Sequence, residues 1–270
     1  MVKINQVKVK NLVTPSKLPG ADFVINPYVG CTNACRYCYA SFMKRFTDHP
    51  EPWGEFLDVK ICDKPIDTKK LIGKSIFISS VTDAYNDYEK EYQKTRDVLK
   101  QLVGVDCRIN ISTKNELILR DLDLLTQMKN LIVDFSINTA SEDFKNDMDK
   151  ASAINVRFAA LKILHQHGIK TAVFVSPMFP ELCDYKEIIK LSKDFVDEYW
   201  FENLNLRGDY KYTIFGYIKR KHPHFFPLYD KIYNKNQTEY WDNLMSEIKE
   251  FCKTEGVKMR NYFHHEQIRK

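Results

Sequence analysis

The sequence predicts an α/β fold built on a parallel sheet. Two observations carry this: short apolar runs recur along the chain, and most are followed by a polar stretch and then apolar residues at three- and four-residue steps. Strand-helix alternation of this kind covers a sheet on both faces, which is where parallel strands belong. A third observation sets the scale. With 44% apolar residues in 270, the chain can bury a core as one large domain or two small ones.

In order, residues 1–20 read as an N-terminal arm or short hairpin, with Val7 and Val9 set among lysines before breaks at Pro15 and Pro19-Gly20. Residues 21–206 hold the core. Phe23-Val24-Ile25 is a first buried strand, and Cys38 to Phe46 a first helix ended by Pro50, Pro52 and Gly54. The second strand, 75–80, precedes a helical pattern through Tyr88, Tyr92, Thr95, Leu99 and Leu102. The third, 107–113, precedes a helix near 121–128. The fourth, 131–137, precedes a helix over 155–167 that Gly168 caps. The fifth, 171–175, is closed by Pro177 and Pro180, and the sixth spans 198–206. Residues 207–270 form a C-terminal extension with an amphipathic helix from Tyr240 to Cys252.

Lysine and arginine exceed aspartate and glutamate by five, and residues 207–270 contain the whole excess, 13 basic against 8 acidic. This basic extension can meet nucleic acid or a partner's acidic face; a solvated surface is the plainer reading. No apolar run is long enough to span a membrane and the N-terminus lacks the apolar core of a signal peptide, so a cytoplasmic protein without a membrane partner is expected.

Gly30-Cys31-Thr32-Asn33-Ala34-Cys35-Arg36-Tyr37-Cys38 sets three cysteines at C-x3-C-x2-C spacing. Three thiolates fall one short of the usual four-cysteine site, which leaves an open metal position for a ligand. A disulfide framework fits poorly, because the seven cysteines are odd in number and a chain of this size does not need staples. Zinc held by these three plus Cys62, Cys107 or a histidine, in a nucleic-acid-binding module, is the competing metal reading. Cys62, Cys107, Cys183 and Cys252 read as reduced core or near-surface residues. His222, His224, His264 and His265 lack the spacing of a second metal site, and no cysteine-rich pattern marks an auxiliary cluster.

At Cys31, Cys35 and Cys38, with Tyr37 before the last cysteine, the chain resembles the radical S-adenosylmethionine (SAM) enzymes. Asn26-Pro27-Tyr28-Val29-Gly30 and Ser80-Val81-Thr82-Asp83-Ala84-Tyr85 resemble the spore photoproduct lyase-like branch. The likeness to proteins named radical SAM mobile pair protein B is closer still, from about Lys3 to Tyr262-Phe263-His264-His265-Glu266. The resemblance implies a partial (β/α)6 TIM-like barrel of the radical SAM type with a C-terminal helical extension. It also implies a [4Fe-4S] cluster on the three cysteines, with SAM on the fourth iron. An external electron donor then reduces the cluster, SAM is cleaved to a 5'-deoxyadenosyl radical, and hydrogen is abstracted from a substrate that is nucleic acid or polypeptide. The mobile-pair likeness adds a partner radical SAM protein, or a role as the SAM-binding partner of one.

In barrel enzymes the chemistry sits at the C-terminal strand ends. Ser79, Ser80, Thr82 and Asp83 there offer groups for a charged ligand, Lys114 suits a carboxylate, and Ser136, Asn138 and Thr139 suit a ribose. Arg157, early in a helix, can also reach a carboxylate; for it and Asn138 a helix cap or surface pair is an equal reading, and for Lys114 a solvated loop lysine is the plain one. Matched to the lyase-like pattern, Tyr37, Tyr39, Thr82, Lys114 and Ser136 are the implied SAM contacts. Spore photoproduct lyase carries a hydrogen-donating cysteine at the strand-two tip. Here Ser80 stands in that place, and a serine O–H is too strong a bond for the role.

Overall fold

In the computed structural model, residues 2–208 and 210–264 are described. Eleven strands run in chain order: β1 (Lys3–Lys8), β2 (Val13–Pro15), β3 (Phe23–Ile25), β4 (Tyr28–Gly30), β5 (Phe56–Ile61), β6 (Ser75–Ile78), β7 (Arg108–Thr113), β8 (Leu131–Ser136), β9 (Lys170–Met178), β10 (Glu198–Asn203) and β11 (Lys258–Asn261). Among the described residues nine α-helices accompany them: α1 (Glu89–Tyr92), α2 (Lys94–Leu102), α3 (Leu122–Leu125), α4 (Glu142–Met148), α5 (Ile154–Gln166), α6 (Tyr185–Ser192), α7 (Tyr210–Lys221), α8 (Phe226–Tyr233) and α9 (Glu239–Glu255).

Eight strands form one sheet in the order β11-β10-β9-β8-β7-β6-β3-β2, parallel throughout except for the antiparallel β2–β3 pair. The six strands expected from the sequence lie side by side in chain order. Their register explains the apolar runs. Ile25, Ile78, Ile111 and Val133 fall in one row across four strands, each fully buried in the core that Leu99 of α2 and Leu161 of α5 complete. Alternate residues face the other way. Asn110, Ser112, Asp134, Ser136 and Ser176 line a lumen that in a packed barrel would be filled with branched apolar side chains. This polar inner face is what turns the barrel into a container.

Residues 1–20 contribute two strands that do not pair with each other, and β2 forms an antiparallel pair with β3. β1 pairs in parallel with β5, which pairs antiparallel with β4, giving a separate three-stranded sheet that the sequence reading missed. β5 alternates weakly and carries Asp58 and Lys60, so its period competes poorly with the Pro- and Gly-rich segment before it. Tyr28, Leu57 and Val59 form a small core under this sheet. The first helix, expected from Cys38 to Phe46, is a 3-10 helix over Tyr39–Phe46 that leaves Phe42 and Phe46 exposed. The C-terminal extension adds more than helices: β11 joins the β10 edge. α9 buries Trp241, Met245, Ile248 and Cys252 along one stripe, and each large apolar side chain so buried contributes about 1.5–3 kcal/mol. His265 and Glu266 lie outside the described residues.

Candidate active site

The cysteine loop begins where β4 ends. Gly30 has φ +89°, and a Cβ there would sit 2.4 Å from the Phe56 carbonyl oxygen, so only glycine allows the chain to turn this close to β5. The Thr82 hydroxyl donates to the Gly30 carbonyl at 2.6 Å, tying the strand-two tip to the turn. Backbone bonds from Arg36 to Met148 (2.9 Å) and from Lys150 to Asn33 (2.8 Å) stitch the loop to the segment after α4.

Asp83 joins three elements. It accepts from the Asn33 amide of the cysteine loop (2.9 Å), the Thr113 hydroxyl at the end of β7 (2.7 Å) and the Lys114 backbone N–H (3.0 Å). A buried carboxylate satisfied this fully fixes the loop against the strand tips.

Beside it lies a second carboxylate. Asp149 is 1% exposed, pairs with Lys114 (3.1 Å) and Arg157 (3.0 Å), and accepts from the Tyr37 hydroxyl (3.1 Å). Burial alone would raise its pKa, but the two cations outweigh that and hold it at about 2. Burial would likewise discharge the Lys114 ammonium, and Asp149, Cys35 and Tyr37 reverse this and keep it charged. Its Nζ stands 2.5 Å from the Tyr37 hydroxyl oxygen and 3.3 Å from the Cys35 sulfur. The loop lysine of the sequence is thus a fixed cation beside a cysteine.

The three thiols share one environment. Burial pushes each of them up, Cys38 to about 12, and the neighbouring thiols add to this at Cys31 and Cys38, while Lys114 pulls Cys35 back. All seven cysteines are free. Cys31, Cys35 and Cys38 open on a cavity of about 1960 Å³ that runs from their loop through the lumen to the opposite strand ends at Ser75, Arg108 and Lys170.

Eleven of the fourteen residues singled out in the sequence line this cavity: the three cysteines, Tyr37, Tyr39, Ser79, Ser80, Thr82, Asp83, Lys114 and Ser136; Thr139 instead accepts from the Ser141 N–H (3.0 Å). Ser80 accepts from the Asn26 amide at 2.8 Å, and the Tyr39 hydroxyl donates to the Ser80 carbonyl. The other two face elsewhere. Asn138 donates to the Pro177 carbonyl (3.1 Å), and the Arg157 guanidinium, 1% exposed, binds Asp149 and the carbonyls of Ser136 and Ser152. Both are buried struts, which the tip-by-tip reading did not separate from ligand contacts. Asp149, Asp134, Glu202 and Trp53 were missed because each reaches the site across the sheet or from a loop, with no local spacing to mark it.

Comparison with known proteins gives the site its context. The family model described as the radical SAM superfamily matches residues 25–192. The chain belongs to the radical SAM superfamily. An uncharacterised protein of Methanocaldococcus jannaschii is 36% identical over 250 residues, covering 92% of this chain and 94% of that one. An uncharacterised protein of Acidianus two-tailed virus is 31% identical over 229 residues, covering 73% and 75%. The fold is that of spore photoproduct lyase complexed with dinucleoside spore photoproduct (TM-score 0.60, 17% identity), which covers 82% of this chain while this chain spans 66% of it.

The residues of this radical SAM enzyme fit the [4Fe-4S] cluster its family implies. Among the described residues no three His, Cys, Asp or Glu side chains converge on one point. A four-iron cluster asks for less convergence, since each thiolate binds a different iron. Two buried donors at the loop, Thr32 Oγ1 and Trp53 Nε1, have no hydrogen-bond partner in the protein. Orphaned donors beside three free thiols suit a centre that brings sulfur acceptors with it. Among the described residues no helix is long and apolar enough to cross a membrane.

Proposed function

We propose that this radical SAM enzyme abstracts hydrogen from a nucleic-acid substrate held in the barrel lumen. The observation that carries the reading is the lining of the cavity, where nine lysines and arginines face three carboxylates, Asp83, Asp134 and Glu202. The chain as a whole is nearly balanced, 41 to 36. A basic groove tracks a phosphate backbone, and aromatic side chains such as Phe174 and Tyr262 along the same wall offer stacking surfaces for bases. The shared fold with a lyase whose structure holds a dinucleoside supports the same direction.

Cys31, Cys35 and Cys38 would hold the cluster, and Lys114, Thr82, Ser80 and Ser136 would hold SAM. When bound, the two supply an electron and a 5'-deoxyadenosyl radical that takes hydrogen from carbon. The chain's own part is positioning and exclusion of water. Asp149 keeps Lys114 charged and aimed at the mouth, where its ammonium suits a carboxylate. Asp83 keeps the cysteine loop and the strand tips in one frame. Ser80 is no hydrogen-atom donor, so the reaction differs from photoproduct repair through a cysteine at that tip.

Anaerobic reconstitution tests the reading. About four irons per chain and 5'-deoxyadenosine formed with dithionite and SAM are expected, with its yield raised by single-stranded oligonucleotides that bind in a salt-dependent way. Oligonucleotides that neither bind nor change the yield, while a polypeptide does, refute the nucleic-acid assignment. Turnover only after a second radical SAM protein is added marks the chain as one half of a pair.

A further inference from the structure

The 3-10 helix at the mouth of the cavity carries a surface for which binding inside the lumen has no use. We propose that Phe42, Arg45 and Phe46 form a platform outside the lumen for single-stranded nucleic acid, taking the nucleotides that flank the one held within. The proposal rests on the nucleic-acid reading above and adds where the rest of the strand lies.

Three observations support it. First, the segment Tyr39–Phe46 exposes rings that a folded chain ordinarily covers. Tyr39 is 54% exposed, Phe42 43% and Phe46 66%, and these are three of the six large apolar side chains that stand exposed among the described residues. A single exposed apolar residue needs no explanation, but three within one eight-residue helix form a patch of the kind that meets a partner.

Second, the helix type sets these side chains in a row. A 3-10 helix has about three residues per turn, so side chains at i and i+3 lie above one another, and Tyr39, Phe42 and Arg45 follow that spacing over about 12 Å. The Tyr39 hydroxyl donates to the Ser80 carbonyl and fixes the inner end at the strand tips. The outer end is held by Thr47, whose N–H and hydroxyl both donate to the Lys44 carbonyl, at 2.9 and 2.8 Å. Tyr39, Phe42 and Arg45 also line the cavity that reaches the cysteines, so the row continues the lumen wall outward.

Third, the charge on this surface has one sign. Residues 36–46 include Arg36, Lys44 and Arg45 and no acid. The Arg45 guanidinium lies 5.3 Å from the Phe42 ring centre and 4.7 Å from that of Phe46, and the two rings meet edge-on at 6.5 Å. Rings beside fixed cations suit bases and the phosphates between them, whereas an apolar protein face would cover the rings and leave the cations without counter-charge.

The experiment measures binding of a fluorescein-labelled oligodeoxynucleotide of about twelve nucleotides, within the span of one strand-binding groove, to anaerobically reconstituted protein. Phe42→Ala combined with Phe46→Ala is expected to weaken it at least about tenfold, the size of one lost base stack. Arg45→Met is expected to flatten the plot of log affinity against log salt by about 0.7, the share of one phosphate contact. Wild-type affinity in the double variant, or an unchanged slope in Arg45→Met, overturns the platform while the lumen reading stands. Unchanged oligonucleotide affinity with loss of a self-associated or partner-bound species assigns the patch to a protein interface and overturns it too. Should a variant fail to load iron, photo-crosslinking of wild type to strands carrying 5-iododeoxyuridine decides. An adduct on Phe42 or Phe46 supports the platform, and adducts confined to other residues, or none, overturn it. A wild-type chain that binds no oligonucleotide removes the nucleic-acid reading itself, and the proposal with it.

Discussion

Asp149→Asn is the most informative single substitution. The amide keeps the shape of the carboxylate but removes the charge that two buried cations, Lys114 at 3.1 Å and Arg157 at 3.0 Å, are arranged around. Breaking a buried ion pair by removing one partner costs about 3–5 kcal/mol, because the partner stays buried and uncompensated. A pH signature separates this from simple loss of packing. The Asp149 carboxyl, at about 2 when folded, lies below its unfolded value near 3.8, so its contribution is complete above that value and is lost as pH falls toward 2. That shift amounts to about 2 kcal/mol at pH 7, of which about 1 kcal/mol is gone by pH 3. Urea unfolding of the metal-free chain under reducing conditions is the assay. A loss of at least about 2 kcal/mol is expected at pH 7, shrinking toward pH 3. A loss under 1 kcal/mol, or one equal at both pH values, refutes the reasoning.

Gly30→Ala forces a Cβ to 2.4 Å from the Phe56 carbonyl at a positive φ, and a cost of about 3 kcal/mol with impaired cluster loading is expected, checked by unfolding and iron content; normal values would contradict the turn's role. Glu89→Gln strips the fully buried carboxylate that pairs with Arg120 at 2.7 Å and accepts from Tyr28 on the strand before the cysteines, with a loss of about 3 kcal/mol in urea unfolding. Asp134→Asn runs the other way. Burial, with Asp83 adding to it, raises this carboxyl to about 7 against the pull of Ser112 and Asn110. Its folded pKa is above the unfolded one, so stability is lost as pH rises from about 4 through 7. The variant should gain on wild type by on the order of 3 kcal/mol at pH 8 and little at pH 4. Lys114→Met leaves Asp149 its Arg157 partner, and calorimetry on reconstituted protein should show SAM binding at least about tenfold weaker; an unchanged affinity would remove Lys114 from the ligand set.

Much of this was legible in the chain because its signals are local. The six core strands are short β-branched or aromatic runs bounded by polar tips, and the cysteine motif lies within eight residues, so neither needs distant partners to be seen. Signals that depend on pairing were not. β1 and β5 meet across some fifty residues, and Lys3–Lys8 alone alternates too loosely to show which strand it joins. For Arg157 and Asn138 the sequence left a ligand contact and a cap or surface pair equally open, because nearness to the mouth does not say which way a side chain points.

The sequence by itself determined the family, the strand-helix rhythm and the three thiols, since each follows from residue type and spacing. Only the tertiary structure decided what surrounds them. It made Lys114 a cation fixed by Asp149, made Arg157 a strut behind it, and turned alternate strand residues into a basic, polar lumen. Those outcomes depend on desolvation and on contacts between residues far apart in the chain, and both exist only once the sheet has closed around its core.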